Sequence, residues 1–287
     1  MNKKNVALVL SSGGSRGLAH IGAIKALEER GFMITSVAGS SIGSVIGGLY
    51  AMNQLNTYVD WVSTLNMKSV WGLLDFTFNK NGIIKGDRVF DKMKAIIPDE
   101  NIENMKIPFA AVATDLLNER DVVFKTGSFY EAVRASISIP AMLTPVKYED
   151  TWLVDGGVLN PMPMDHVKRL KGDLLVVVSL HGQSSGQVIK TREEEERSYF
   201  TRMFKALSMQ QKTPTQDNIG YYDLLNFTSS AMINKIVKLS LDIHQPNIVI
   251  DIPNDASGIF EFYKAKELIA LGEKIAHEQI DNYLTKN

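Results

Sequence analysis

Apolar and polar positions along the chain change period several times, and each change marks an element. Residues 6–10 form an unbroken apolar run, the pattern of a strand buried on both faces, and the run ends in a glycine-rich stretch. From Gly17 the period becomes helical. Leu18, Ile21, Ala23, Ile24 and Leu27 fall on one face, Lys25, Glu28, Glu29 and Arg30 on the other, and Gly31 closes the helix. Residues 34–38 repeat the short apolar run and stop at Gly39, and residues 44–52 read as a buried helix. Two such strands joined by a crossover helix predict a parallel pair with a right-handed connection.

The same reading extends to the end of the chain. Residues 56–97 are expected to be helical and amphipathic. Residues 108–116 and 122–125 read as a β-hairpin, 129–136 as a short helix ending before Pro140, and 152–154 as a strand leading into a turn at Asp155. Residues 174–180 predict a buried strand, 193–244 a mostly helical stretch broken at Thr213-Pro214-Thr215, 247–252 a last strand and 260–284 a last helix. Strands alternate with helices throughout. The expected architecture is therefore α/β, a three-layer α/β/α sandwich on a mainly parallel central sheet, in a single domain over residues 1–287.

Composition narrows the function classes. The 287 residues are 45% hydrophobic and 22% charged, which is ordinary for a globular chain and excludes disorder and fibrous folds. Lys and Arg number 31 against 32 Asp and Glu, a net charge of −1, so there is no bulk basic footprint and nucleic acid is not an expected partner. The chain has no cysteine, so disulfides, thiolate nucleophiles and cysteine-held metals are out. The apolar run after Lys3 and Lys4 is too short for a signal peptide, and no apolar stretch reaches the roughly 18 to 20 residues that cross a bilayer. The expectation is a cytoplasmic protein that is either soluble or touches a membrane only from one side.

Three clusters carry candidate chemistry. Gly39-Ser40-Ser41-Ile42-Gly43 is a G-x-S-x-G at a strand-to-helix turn. Such a turn exposes a serine hydroxyl, glycines two residues away on either side let strand and helix approach, and the helix N-terminus favours a developing oxyanion. Only Ser41, not Ser40, has both flanking glycines; the plainer alternative is a serine capping the next helix. Ser12-Gly13-Gly14-Ser15-Arg16-Gly17 lies at the preceding strand-to-helix turn, where consecutive glycines form either an anion-binding nest or simply a tight turn. A dinucleotide loop fails, because Ser12 replaces the first glycine of the fingerprint and no acidic residue ends the second strand. Both turns lie at the carboxyl edge of a parallel sheet, which favours an oxyanion hole. Asp155-Gly156-Gly157 reads by itself as a turn. The five histidines, His20, His166, His181, His244 and His277, include none with a setting that marks a base for Ser41. His20 is expected to pack on its helix, His166 to lie on a helix beside Asp165, and His181 to follow the strand ending at Leu180, where it stays open as a base.

Taken together, Ser12 to Gly17 with His20-Ile21-Gly22, Gly39 to Gly43, Ala135-Ser136-Ile137-Ser138-Ile139-Pro140 and Val154 to Pro163 resemble, in order and spacing, the motifs of bacterial patatin-like phospholipases. The resemblance covers about residues 5–180, with Ser12 a departure where that family usually has glycine. It implies a Ser-Asp dyad of Ser41 and Asp155, oxyanion donors from Gly13, Gly14 and Ile42, and a supporting role for Arg16, Gly17, Gly39, Gly43, Gly156 and Gly157. Arg16 is expected to brace the loop, to meet a phosphate head group or to form a structural ion pair. The implied reaction is hydrolysis of a lipid acyl ester, with no metal or organic cofactor. The alternative is a non-hydrolytic lipid-binding or regulatory protein on the same scaffold. Trp61, Trp71, Leu73, Leu74, Phe76 and Phe78 suggest that residues 56–97 form either ordinary core or a cover that meets lipid.

Overall fold

The computed structural model describes residues 4–77, 82–184 and 221–286. Its frame is one eight-stranded sheet in the order β5-β6-β3-β2-β1-β7-β8, with β4 also paired to β3. The strands are β1 (Lys4–Leu10), β2 (Phe32–Ser40), β3 (Phe109–Asp115), β4 (Arg120–Phe124), β5 (Val146–Tyr148), β6 (Thr151–Asp155), β7 (Leu174–Gly182) and β8 (Ile248–Pro253). The run β3-β2-β1-β7-β8 is parallel, whereas β4, β5 and β6 are attached antiparallel.

Helices cover both faces, which is why β1 is apolar at every inner position rather than alternating. Val6, Leu8 and Leu10 face the larger core, shared with α1 (Leu18–Glu29), α2 (Ile42–Ala51), α3 (Leu55–Val62) and the C-terminal helix Ala265–Lys286. Ala7 and Val9 face the other layer, where Met162, Met164 and Val167 pack with Val237 of a helix spanning Tyr221–His244. The architecture is the expected α/β/α sandwich.

Several local expectations are corrected. Residues 56–97 are not one helical stretch. They form α3, α4 (Met67–Leu73) and α5 (Asp87–Ile96). Asn66 restarts the helix by accepting from the Ser69 amide at 2.8 Å, and the Asp75 carboxylate accepts from the amides of Gly86 and Asp87 at 2.6 and 2.9 Å to begin α5. Between α4 and α5, Phe76 and Ile84 form an antiparallel bridge. Phe78 lies outside the described residues, as does 193–220 of the expected helical stretch. After α5 come α6 (Phe129–Ser136), α7 (Tyr221–His244) and α8 (Ala265–Lys286). Helix α8 starts at Ala265 rather than near residue 260, because the preceding residues turn inward to line a cavity. The three-residue strand β5 was not legible in the sequence, and His166 sits in a turn instead of a helix. Among the described residues no helix is long and apolar enough to cross a membrane.

Candidate active site

The register of β3 brings two distant segments together. Ser40, the last residue of β2, pairs with Val112, and Asp155, the last residue of β6, pairs with the next residue, Ala113. Ser41 follows at the turn into α2 with φ +54°, a backbone conformation that costs a non-glycine residue about 1–3 kcal/mol. The turn is tight: a Cβ at Gly39 would lie 2.2 Å from the Gly43 carbonyl oxygen, and one at Gly43 would lie 2.1 Å from that of Leu10. Ser41 occupies the N-cap position of α2, yet its side chain makes no capping bond. Its Oγ instead donates to Asp155 Oδ2 at 2.5 Å.

Asp155 is buried, 5% exposed, and its other oxygen accepts from the Gly157 amide at 2.7 Å. Burial raises its pKa to about 6, while the bonds from Ser41 and Gly157 work in the opposite direction. The Ser41 amide is also occupied. It donates to Ser136 Oγ at 2.9 Å, and that hydroxyl donates to the Val112 carbonyl at 2.6 Å.

The glycine loop stands beside this pair, since a Cβ on Gly157 would meet Ser12 Oγ at 2.8 Å and Asp155 Oδ1 at 2.9 Å, and one on Gly17 would run into Ile42. The amides of Ser12 and Ser15 are spent on the carbonyls of Pro161 and Ile259, both at 2.9 Å. Those of Gly13 and Gly14 have no acceptor among the described residues. Gly14 has φ +62°, left-handed backbone that favours glycine. Arg16 donates to the Gly13 carbonyl at 3.0 Å and to the carbonyl of Asn254, so its guanidinium braces the loop. A Cβ on Gly156 would meet the Val112 carbonyl oxygen at 2.1 Å, which keeps the Asp155 turn flush against β3.

Ser41, Ile42 and Gly14 line a cavity of about 140 Å³ whose walls are almost wholly apolar. Tyr58, Trp61, Val62 and Leu65 line it from α3 and the turn after it, Leu73 and Leu74 from the end of α4, Phe90 and Met93 from α5, and Ile259, Phe260 and Phe262 from the segment before α8. Trp61, Leu73 and Leu74 of the expected cover thus face this cavity. Trp71 and Phe76 stack on each other at 6.4 Å instead.

A patatin-like phospholipase family profile matches residues 8–168, more than half of the sequence. The chain belongs to the patatin-like phospholipase family. It is 29% identical over 330 residues to an uncharacterized NTE family protein of Mycobacterium tuberculosis, an alignment covering 97% of this chain and 92% of that protein. It is 30% identical over 282 residues to the lysophospholipase NTE1 of Pyricularia oryzae, covering 96% of this chain but 18% of the fungal protein. The crystal structure of VipD from Legionella pneumophila aligns with a TM-score of 0.48 at 14% identity, covering all of this chain and 67% of that one.

In this patatin-like chain none of the five histidines bonds to Ser41. His20 is fully buried and donates from Nε2 to the Ser11 carbonyl at 2.9 Å; burial lowers its pKa to about 4. His181 lies within β7, 3.5 Å from Ser12 Oγ, and burial together with the nearby Arg16 lowers it to about 4. Both are neutral at pH 7. His166, His244 and His277 pair with Asp121, Asp165 and Glu29 at 2.8 to 3.1 Å.

Two contributions escaped the sequence reading. Ser136 was visible only as part of a motif, with nothing to say that its hydroxyl would meet the Ser41 amide. Residues 254–262 carried no motif at all, yet they supply one wall of the cavity and brace the glycine loop. A run of Ile259, Phe260 and Phe262 ahead of the last helix was the single available hint.

Proposed function

We propose that the protein hydrolyses lipid acyl esters of the phospholipase A or lysophospholipase type, with Ser41 as nucleophile and Asp155 as base. The observation that carries this reading is the 2.5 Å bond to a buried carboxylate from the Oγ of Ser41, which lines an apolar cavity. Family membership supports a lipid acyl hydrolase in general terms, and the activity named for the fungal relative points the same way.

The chemistry follows from the groups present. A carboxylate is ordinarily a poor base for an alcohol, and burial that lifts Asp155 to about 6 makes it a better one. Ser41 Oγ attacks the ester carbonyl as its proton passes to Asp155. The carbonyl oxygen becomes an oxyanion, which the amides of Gly13, Gly14 and Ile42 stabilise; one donor of this kind is worth about 10²–10³ in rate. The Ser41 amide is not available for the task because Ser136 holds it. The tetrahedral intermediate collapses, the ester bond breaks, and the departing alcohol takes the proton from Asp155. Water, deprotonated by Asp155, then attacks the acyl-serine; the bond to Ser41 Oγ breaks, Asp155 returns the proton to that oxygen, and the fatty acid is released. All groups needed for both steps belong to the chain, so the reaction calls for no metal or organic cofactor.

The test is a hydrolysis screen over acyl lengths and head groups with Ser41→Ala as control, joined to peptide mapping after a fluorophosphonate probe. Release of free fatty acid that vanishes in Ser41→Ala, with the label on Ser41, is the expected result. Undiminished turnover in that variant refutes the reading.

A further inference from the structure

Residues 254–262 reach the site from outside the span of the family match. They connect β8 to α8 and have no regular structure of their own up to Phe262. Four hydrogen bonds fasten them to the glycine loop. The Ser15 amide donates to the Ile259 carbonyl at 2.9 Å, and Ser15 Oγ donates to the Gly258 carbonyl at 2.6 Å. The hydroxyls of Ser15 and Ser257 bond at 2.8 Å, and Arg16 donates to the Asn254 carbonyl. Ser15 is fully buried under the segment. The fit leaves no slack, since a Cβ on Gly14 would lie 2.9 Å from the Ile259 carbonyl oxygen. At its far end the segment passes into the turn Phe262–Lys264, which packs against α4. The segment thus spans the distance from the loop beside Ser41 to the helix that forms the opposite cavity wall. Ile259 stands at the mouth, 39% exposed, while Phe260 and Phe262 are half-buried along the wall.

We infer that residues 254–262 select acyl-chain length, with Ile259 and Phe262 setting how much of a chain the cavity between Gly14 and α4 accepts. The inference rests on the acyl-ester reading above. Its physical basis is that an apolar wall held rigidly to the oxyanion loop cannot move away from a longer chain without disturbing the carbonyl end. A chain that does not fit is then rejected in the chemical step as well as in binding. Nothing in the dyad itself discriminates length, because each methylene reports only on the surface it meets.

The experiment measures kcat/KM for p-nitrophenyl esters of 4, 8, 12 and 16 carbons in wild type, Phe262→Leu and Ile259→Trp. Phe262→Leu removes bulk from the wall and raises the ratio of the 12- and 16-carbon esters to the 4-carbon ester, by about tenfold on the scale of one or two methylenes in an apolar pocket. Ile259→Trp narrows the mouth at an exposed position and lowers that ratio by a similar factor. Binding of saturated fatty acids of 8 to 16 carbons, followed by displacement of a fluorescent fatty acid from the Ser41→Ala protein with and without each wall substitution, reads the same selectivity without catalysis. Opposite shifts of the two variants in both assays support the inference. Identical chain-length profiles in all three proteins, or a uniform loss across lengths together with a lowered melting temperature, overturn it. Hydrolysis that persists in Ser41→Ala sinks the nucleophile assignment alone, and the binding series then still decides the role of the wall.

Discussion

The amide of Ser41 donates to the hydroxyl of Ser136, which in turn donates to the carbonyl of Val112 on β3. This bond fixes the serine in its left-handed conformation and removes one amide from the set that could meet an oxyanion. Ser136→Ala leaves a buried N–H without an acceptor, at a cost of about 1–3 kcal/mol. The expected outcome is a lower melting temperature, together with a kcat reduced about tenfold or more at nearly unchanged KM, as loss of about 1.4 kcal/mol of positioning would produce. Single-turnover acylation rates check it. A drop in melting temperature with kcat intact would reduce Ser136 to a structural role.

Asp155→Asn separates activity from stability. The charge that the proposed mechanism asks of Asp155 is one the fold does not favour: its pKa is about 6 in the folded chain against an ordinary 3.8. Between those values the folded state holds the proton more firmly than the unfolded state. Unfolding free energy therefore falls as pH rises from about 4 to about 6, and the full cost stands above 6. Asn has no charge to desolvate. The variant should lose at least about 10²–10⁴ in the chemical step while gaining about 1–3 kcal/mol of stability at pH 8. That gain should disappear near pH 4. Denaturant titrations at the two pH values measure it, and a variant less stable than wild type at pH 8 would contradict the burial argument.

The same pKa sets the pH profile. As the proposed base, Asp155 has to be ionised to take the Ser41 proton, so kcat/KM should climb with pH through about 6 and level off above it. His20 and His181 do not contribute to this limb, because burial leaves both neutral there. Replacing each of the five histidines singly should preserve a large fraction of turnover. One histidine variant as inactive as Ser41→Ala, alongside an active Asp155→Asn, would assign the base elsewhere.

Phe76 is 49% exposed and stacks on Trp71 beyond the cavity end of α4. If this segment meets lipid, Phe76→Asp weakens binding to phosphatidylcholine vesicles and slows long-chain hydrolysis, and a short soluble ester is cleaved at the normal rate because the dyad is untouched. Vesicle co-sedimentation with parallel assays on both esters is the measurement. A joint fall of both rates and the melting temperature would make the segment core.

How much of this could be read from the chain follows from the range of each interaction. Apolar runs at 6–10 and 174–180 announce strands covered on both faces, and the helical period after Gly17 announces the crossover, because burial of a strand or helix leaves its period in the residues themselves. The strand-turn-helix setting of Ser41 is likewise partly local, since Gly39 is required by its close approach to Gly43 four residues on, whereas Gly43 is required by the Leu10 carbonyl of the neighbouring strand. Asp155 is different. Asp-Gly-Gly reads as a turn in isolation, and only a resemblance of motifs tied it to Ser41. Its meeting with the hydroxyl depends on β3 pairing with β2 as far as Val112 and with β6 from Ala113 onward, a register that no local pattern encodes. The break of residues 56–97 into three helices, the bond from Ser41 to Ser136 and the wall built by residues 254–262 were decided the same way. Each depends on which surfaces are left to cover once the sheet has formed, and that is settled by contacts between residues far apart in the chain.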